Sequence, residues 1–162
     1  MIKFPLVTQY MTSQLIAFRA ETPIGEAIDT ILRQKISGAP VLDKDGALVG
    51  MLSEVDCLRL IVDSAYNEEP VQMLKVSDFM STAVATIPSH HSVFDAANTF
   101  LSTRLKRLPV IEKGKVVGQI SRVDVLRAVR EMKVLERHVP STWKGREPSM
   151  PDYKKTRHTE SS

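Results

Sequence analysis

Two serine–acid pairs, Ser53-Glu54-Val55-Asp56 and Ser121-Arg122-Val123-Asp124, are the residues of this chain best suited to bind something. At a helix start, a capping serine with an acid three residues on satisfies orphan backbone N–H groups and complements the helix dipole. A carboxylate held on that first turn beside a cleft can also accept two hydrogen bonds from the adjacent hydroxyls of a ribose. Spacing alone leaves both readings open. Arg104, Lys106, Arg107 and Arg122 form a candidate phosphate patch, since a guanidinium clamps an anion at two points, with a solvated cationic face as the alternative.

Groups that could activate a bond are missing from the pattern. His90 and His91 fall at a helix start between Ser89 and Ser92, which suits capping or solvent, and His138 and His158 lie near the C-terminus. Neither His-x-x-x-His nor Cys-x-x-Cys occurs, so no metal site is expected. Cys57 reads as a small helix residue, and no Gly-Lys-Ser/Thr follows Gly38 or Gly50 to make a phosphate loop. The expectation is a protein that is not an enzyme and requires no cofactor.

The elements that must position the two acids are duplicated. Ser37-Gly38-Ala39-Pro40-Val41-Leu42, a turn, then Val49 to Asp56 returns as Lys106-Arg107-Leu108-Pro109-Val110-Ile111, a turn, then Val117 to Asp124. The period is roughly seventy residues, and the one deletion falls in the turn, where Asp43-Lys44-Asp45-Gly46 has become Glu112-Lys113-Gly114. Each unit reads as strand, helix, strand, strand, helix, giving an α/β (α+β) fold. The first strands are Leu15 to Phe18 and Val84 to Ile87. The first helices, one opening at Thr22-Pro23, bury Ile24, Ala27, Ile28, Ile31 and Leu32 or Val93, Ala96, Ala97, Phe100 and Leu101. Each hairpin leads to a second helix expected to bury Val55, Leu58 and Val62, or Val123, Leu126 and Val129. The lead-ins Val7 to Thr12 and Val76 to Ser81 repeat as well. Residues 5–64 and 76–132 are the two units, 65–75 a polar connector and 133–162 an extension.

A chain of 162 residues, 43% hydrophobic and 25% charged, has an ordinary globular composition, and two halves this small are expected to share a core. No apolar run approaches the roughly 20 residues of a membrane span, the start lacks a secretory pattern, and a single cysteine fits a reducing compartment, so a cytoplasmic location is expected. The charge of +3 arises wholly in residues 133–162, because the chain is balanced up to Met132. That basic, proline-bearing extension reads as poorly ordered and gives only a weak case for nucleic acid, while Trp143 and Tyr153 could dock it on a groove.

The ordered set of lead-in, proline strand, turn glycine and Ser-x-x-Asp, present twice over residues 5 to 132, resembles a tandem pair of CBS domains. The resemblance implies two units packed about a pseudo-twofold axis through their sheets, with two related clefts that bind an adenosine nucleotide (AMP, ADP or ATP) or S-adenosylmethionine. It implies ribose binding by Asp124 and Asp56 beside Ser121 and Ser53. The segments before each proline, Ser37, Gly38, Ala39 and Pro40 or Arg107, Leu108 and Pro109, would meet the adenine. Ile16 and Ala17 would complete the Asp124 cleft, and Ala85 and Thr86 the Asp56 cleft. Arg104, Lys106 and Arg122 would take phosphate in the Asp124 cleft; near Asp56 only Arg33 and Lys35 are expected. The partners implied are the ligand, a second copy in a homodimer and a regulated protein, with a scaffold whose clefts stay empty as the alternative.

Overall fold

The structure, a computed structural model, describes residues 3–66 and 70–132. The chain divides into two compact units, Met1–Ala128 and Val129–Ser162. The extension 133–162, with Trp143 and Tyr153, lies outside the described residues, as do Glu68 and Glu69 of the connector.

The first repeat carries α1 (Ile24–Gln34), the hairpin β1 (Gly38–Leu42) and β2 (Leu48–Ser53), and α2 (Glu54–Ser64). A short α3 (Val76–Phe79) opens the second, followed by β3 (Ile87–Pro88), α4 (Val93–Ser102), the hairpin β4 (Arg107–Glu112) and β5 (Lys115–Ser121), and α5 (Arg122–Glu131). Both hairpins are antiparallel, pair Pro40 with Met51 and Pro109 with Gln119, and shift register at the same place, between Val41 and Leu42 or Val110 and Ile111. Their turns differ as the deletion requires. The longer one is closed by Asp43 Oδ1, which accepts from the N–H groups of Asp45 and Ala47 at 2.9 Å each. The shorter has Lys113 (φ 49°) and Gly114 (φ 75°) both left-handed, the backbone that a two-residue hairpin loop demands.

The lead-ins are exchanged between the repeats. Thr12 pairs with Gln119 of the second hairpin, N–H to O at 2.9 Å in both directions, while Val7 N donates to His91 O and Val93 N to Pro5 O. Reciprocally, Ser81 pairs with Met51 of the first hairpin, Ile24 N donates to Leu74 O, and Val76 N to Thr22 O. Val76 and Phe79 are buried within the first repeat's core beside Phe18, Ile24, Ala27, Ile31, Val41 and Leu52. Each such side chain contributes on the order of 1.5–3 kcal/mol by leaving water, so the second lead-in is a structural part of the first repeat.

This exchange shortens the expected first strands. Thr12 is tied to the second hairpin and Phe18 to the first, where it meets Val41 in parallel with Phe18 N on Pro40 O and Leu42 N on Phe18 O, both 2.9 Å. Residues 13–17 must cross between hairpins and cannot extend either ladder. Leu15 to Phe18 is therefore a single bridge, and its counterpart shrinks to Ile87–Pro88, paired with Val110 and Ile111.

Helix starts and faces also depart from expectation. Pro23 is the N-cap of α1 rather than its first residue, and Thr22 Oγ1 instead accepts from Arg19 N at 3.1 Å. Ile24, Ala27, Ile31, Val93, Ala96 and Phe100 are buried as expected, but Leu32 and Leu101 are exposed. α2 buries none of its residues: Val55, Leu58, Ile61 and Val62 are exposed, as are Val123 and Leu126 of α5, where Val125 and Ala128 are buried instead. The apolar stripes are real, but among the described residues they stand exposed.

Two predictions follow from local geometry. A Cβ on Gly50 would lie 2.8 Å from Met80 Sδ and 2.9 Å from Ser81 O, a backbone atom fixed by the exchanged pair. Gly50→Ala should cost about 1–3 kcal/mol by overpacking, read as a lower urea midpoint; an unchanged midpoint would show that the contact yields freely. At the start of α4, Asp95 accepts from Ser92 N (2.8 Å) and Ser92 Oγ (3.1 Å). The Ser92 N–H first, outweighing desolvation, holds its carboxyl below the ordinary 3.8. Its stabilising contribution is therefore complete above that pH and lost as pH falls through the lowered value. Wild type should unfold at higher temperature than Asp95→Asn at pH 7, with the gap closing as pH falls through the lowered value; a constant gap would exclude the charge as cause.

Candidate ligand-binding site

Asp124 stands on the first turn of α5, where β5 ends at Ser121, and is buried, only 8% exposed. Its Oδ2 accepts from Ser121 N (2.8 Å) and Ser121 Oγ (2.9 Å), while its own N–H donates to Ser121 Oγ at 3.2 Å. The Arg127 guanidinium pairs with Oδ1 and also reaches Tyr10 O at 3.5 Å. The reading of Ser-x-x-Asp as a capping box thus holds, with a counterion on the oxygen that faces away from the cap. Asp56 makes the same box, its Oδ2 accepting from Ser53 N at 2.9 Å and its N–H donating to Ser53 Oγ at 3.2 Å. Ser92 and Asp95 form a third, so the motif by itself does not mark a binding site.

Asp124 has open space beside it. A cavity of about 290 Å³ is lined by Asp124, Ser121, Gln119 and Arg107 of the second repeat and by Ile36 and Gly38 of the first. The crossing segment supplies its remaining wall, with Thr12, Gln14, Leu15 and Ile16. A carboxylate, a guanidinium, two hydroxyls and two amides therefore share a cavity with three aliphatic side chains, a setting suited to a flat ring attached to a polyol. Next to it, sharing Ile36 and Arg107, a second cavity of about 440 Å³ is lined by Lys35, Lys106, Ser37 and Glu54 with Ile31 and Leu32. Three cations against one acid favour an anion there.

The expected residues divide accordingly. Asp124, Ser121, Arg107, Ile16 and Gly38 come together in the first cavity, and Ser37, Lys106 and Arg107 in the second. Gly38 thus lines the Asp124 cavity while pairing across the hairpin with Ser53, and Ser37, whose C=O accepts from Glu54 N, lines the second cavity, where Lys35, expected near Asp56, joins Lys106 and Arg107. The residues before the two proline strands adjoin because the repeats meet there. Gly38 is confined to its type: a Cβ would fall 2.5 Å from Leu52 O across the hairpin.

Arg104 and Arg122 line neither cavity; Arg122 Nε instead donates to Leu105 O at 2.8 Å, tying α5 to the loop before β4. Leu108, Pro109, Ala39 and Pro40 are buried in their strands, and Ala17, Ala85 and Thr86 are exposed. Asp56 and Ser53 line neither of the two cavities. Thr12, Gln14, Leu15 and Gln119 are lining residues that the sequence reading missed. The first three escaped because the lead-in exchange is non-local; Gln119 carried one usable signal, a polar residue where the other repeat has Met51.

Cys57 is half-buried, and burial first, then the negative Asp56, pushes its thiol up, which argues against a nucleophile. Among the described residues no cluster of His, Cys, Asp and Glu could hold a metal ion, and no helix is long and apolar enough to cross a membrane.

Comparison with known proteins places this architecture. The CBS domain pattern matches residues 7–63 and 76–131. A CBS domain-containing protein of Dictyostelium discoideum is 34% identical over 139 residues, covering 81% of this chain and 94% of that protein. The chloroplastic CBS domain-containing protein CBSX1 of Arabidopsis thaliana is 32% identical over 153 residues, covering 78% of this chain and 65% of CBSX1, so this chain spans just under two thirds of that relative. The crystal structure of CBSX2 in complex with AMP superposes with a TM-score of 0.70 at 28% identity, covering 80% of this chain and 98% of that one. Two matched copies whose lead-ins are exchanged and whose junction forms a cavity beside a capped aspartate identify this chain as a member of the CBS domain family, carrying a tandem pair.

Proposed function

We propose that this chain is a regulatory, non-catalytic module that binds an adenosine nucleotide at the junction of its two repeats and passes the occupancy of that site to a partner protein. The observation that carries the reading is the adjacency of the two cavities: a buried, serine-held carboxylate lines an aliphatic-walled pocket, and the neighbouring cavity, which shares Ile36 and Arg107 with it, is lined by Lys106 and Lys35. In this reading Asp124 Oδ1 takes the ribose hydroxyls once Arg127 has swung off it. Leu15, Ile16 and Ile36 flank the base, and the phosphates point toward Arg107, Lys106 and Lys35. The AMP held by CBSX2 supports the ligand class. The Asp56 side, with Ser53, Ala85 and Thr86, is the related second cleft, and its neighbours make it the less cationic of the two.

Signalling follows from where the wall comes from. The crossing segment belongs to the first repeat and Asp124 to the second, so a ligand touching both binds some relative orientations better than others and shifts the population by that difference. The exposed apolar stripes of α2 and α5 support assembly as a homodimer through these helices, since among the described residues Val55, Leu58, Val123 and Leu126 stand exposed.

Calorimetric titration with AMP, ADP and ATP should give saturable binding to the wild type. Asp124→Asn, which keeps a capping side chain, should weaken it roughly 5- to 150-fold, the ~1–3 kcal/mol of a charge-assisted hydrogen bond. Wild-type chain indifferent to all three nucleotides would leave a scaffold as the better description. For the assembly, the double change Leu58→Glu with Leu126→Glu should convert a sedimenting dimer to a monomer with nucleotide affinity retained. A wild type that sediments as a monomer would remove the dimer.

A further inference from the structure

Gln119 stands out in the lining of the first cavity. It lies on β5 between Gly118 and Ile120 and is 8% exposed. Its backbone is fully used, N–H and C=O both bonded to Thr12 of the crossing lead-in at 2.9 Å. Its side-chain Nε2, by contrast, is buried without a hydrogen-bond partner, the one such side-chain atom among the described residues. Leaving a buried amide donor unpaired destabilises the fold, because its lost hydration is not replaced. The first repeat avoids this cost with Met51 at the matching place, where the side chain offers no such donor and the backbone makes the same exchanged pair, with Ser81. One hairpin thus carries an apolar side chain and the other a buried, unsatisfied amide on a residue that lines the first cavity.

We propose that Gln119 is a specificity-determining residue whose Nε2 donates to a ring nitrogen of a purine base bound in the first cavity. The inference rests on the reading of that cavity as a nucleotide site and deepens it. Three features of the ligand have three different needs. A diol seeks the acceptor Asp124, and phosphates seek the cations Arg107, Lys106 and Lys35, of which only Arg107 lines the cavity that holds Gln119. What remains for a buried neutral donor beside Leu15 and Ile16 is a neutral acceptor on a flat apolar body, and the ring nitrogens of a purine are of that kind. The consequence is asymmetry: the cleft built on β5 selects its base by a hydrogen bond that the Met51 side cannot make.

The test titrates full-length wild type, Gln119→Met and Asp124→Asn with AMP and with its 1-deaza, 3-deaza and 7-deaza analogues, and records the melting temperature of each ligand-free protein. Gln119→Met copies the residue of the other repeat. It should bind AMP at least 10-fold more weakly while melting no lower than wild type, because a buried donor without a partner has been removed. One deaza analogue should bind wild type at least 10-fold more weakly than AMP does and bind Gln119→Met as AMP does. Gln119→Met binding like wild type while Asp124→Asn binds weakly would overturn the role of Gln119 and leave the nucleotide site standing. If wild type binds none of these compounds, both are overturned. A lower melting temperature with unchanged affinity would assign Nε2 to a structural water and overturn the proposal too. Should the variant not fold, wild type binding all three deaza analogues as tightly as AMP would do the same.

Discussion

The reciprocal exchange of lead-ins is the constraint on which the rest of this structure depends. Thr12 completes the hairpin edge at Gln119, and Ser81 completes the one at Met51, each through paired N–H and C=O groups. These bonds cover strand edges that would otherwise face water or another chain. They also carry Val76 and Phe79 into the first repeat's core. Neither repeat can close its own edge with its own lead-in, because the chain returns to its own hairpin only at Phe18 or Ile87. That is how two units too small to be comfortable alone form a common body, and it explains the glycines at 50 and 118, which sit where a lead-in methionine packs onto the strand.

On this symmetric frame the chemistry has diverged. Both repeats keep the capped aspartate, the turn glycine and the buried proline strand, yet only Asp124 has an arginine one helical turn on that reaches its carboxylate in this structure. The junction residues differ more: Ile36-Ser37-Gly38 in one repeat, Leu105-Lys106-Arg107 in the other. Since these segments adjoin, the small residues of the first make room and the cations of the second fill it with charge. Two adjacent cavities therefore hold contributions from both repeats that a reading by repeat would assign to separate sites.

Local features were legible in the sequence. The capping boxes, the hairpins, their shortened turn and the buried stripes of α1 and α4 all follow from spacings of four residues or fewer. Pairings over long separations were not. Nothing in Thr12 or Gln14 announces a cavity wall, and nothing in Leu15 to Phe18 announces that its ladder is cut short by the need to cross. The faces of α2 and α5 show the limit of periodicity, because an apolar stripe at 3.6-residue spacing says that something covers it without saying what. Lys35 could not be assigned to its cavity from spacing, since its place at the left-handed end of α1 (φ 53°) turns it toward residues more than seventy positions away.

The stretch from Thr12 to Phe18 acts as a strut pinned at both ends to different hairpins, with no ladder of its own to absorb displacement. A body wedged against Leu15 and Ile16 would load both anchor points together, and a chain severed between them would lose the direct covalent tie from the second hairpin's edge at Thr12 to the first hairpin at Phe18.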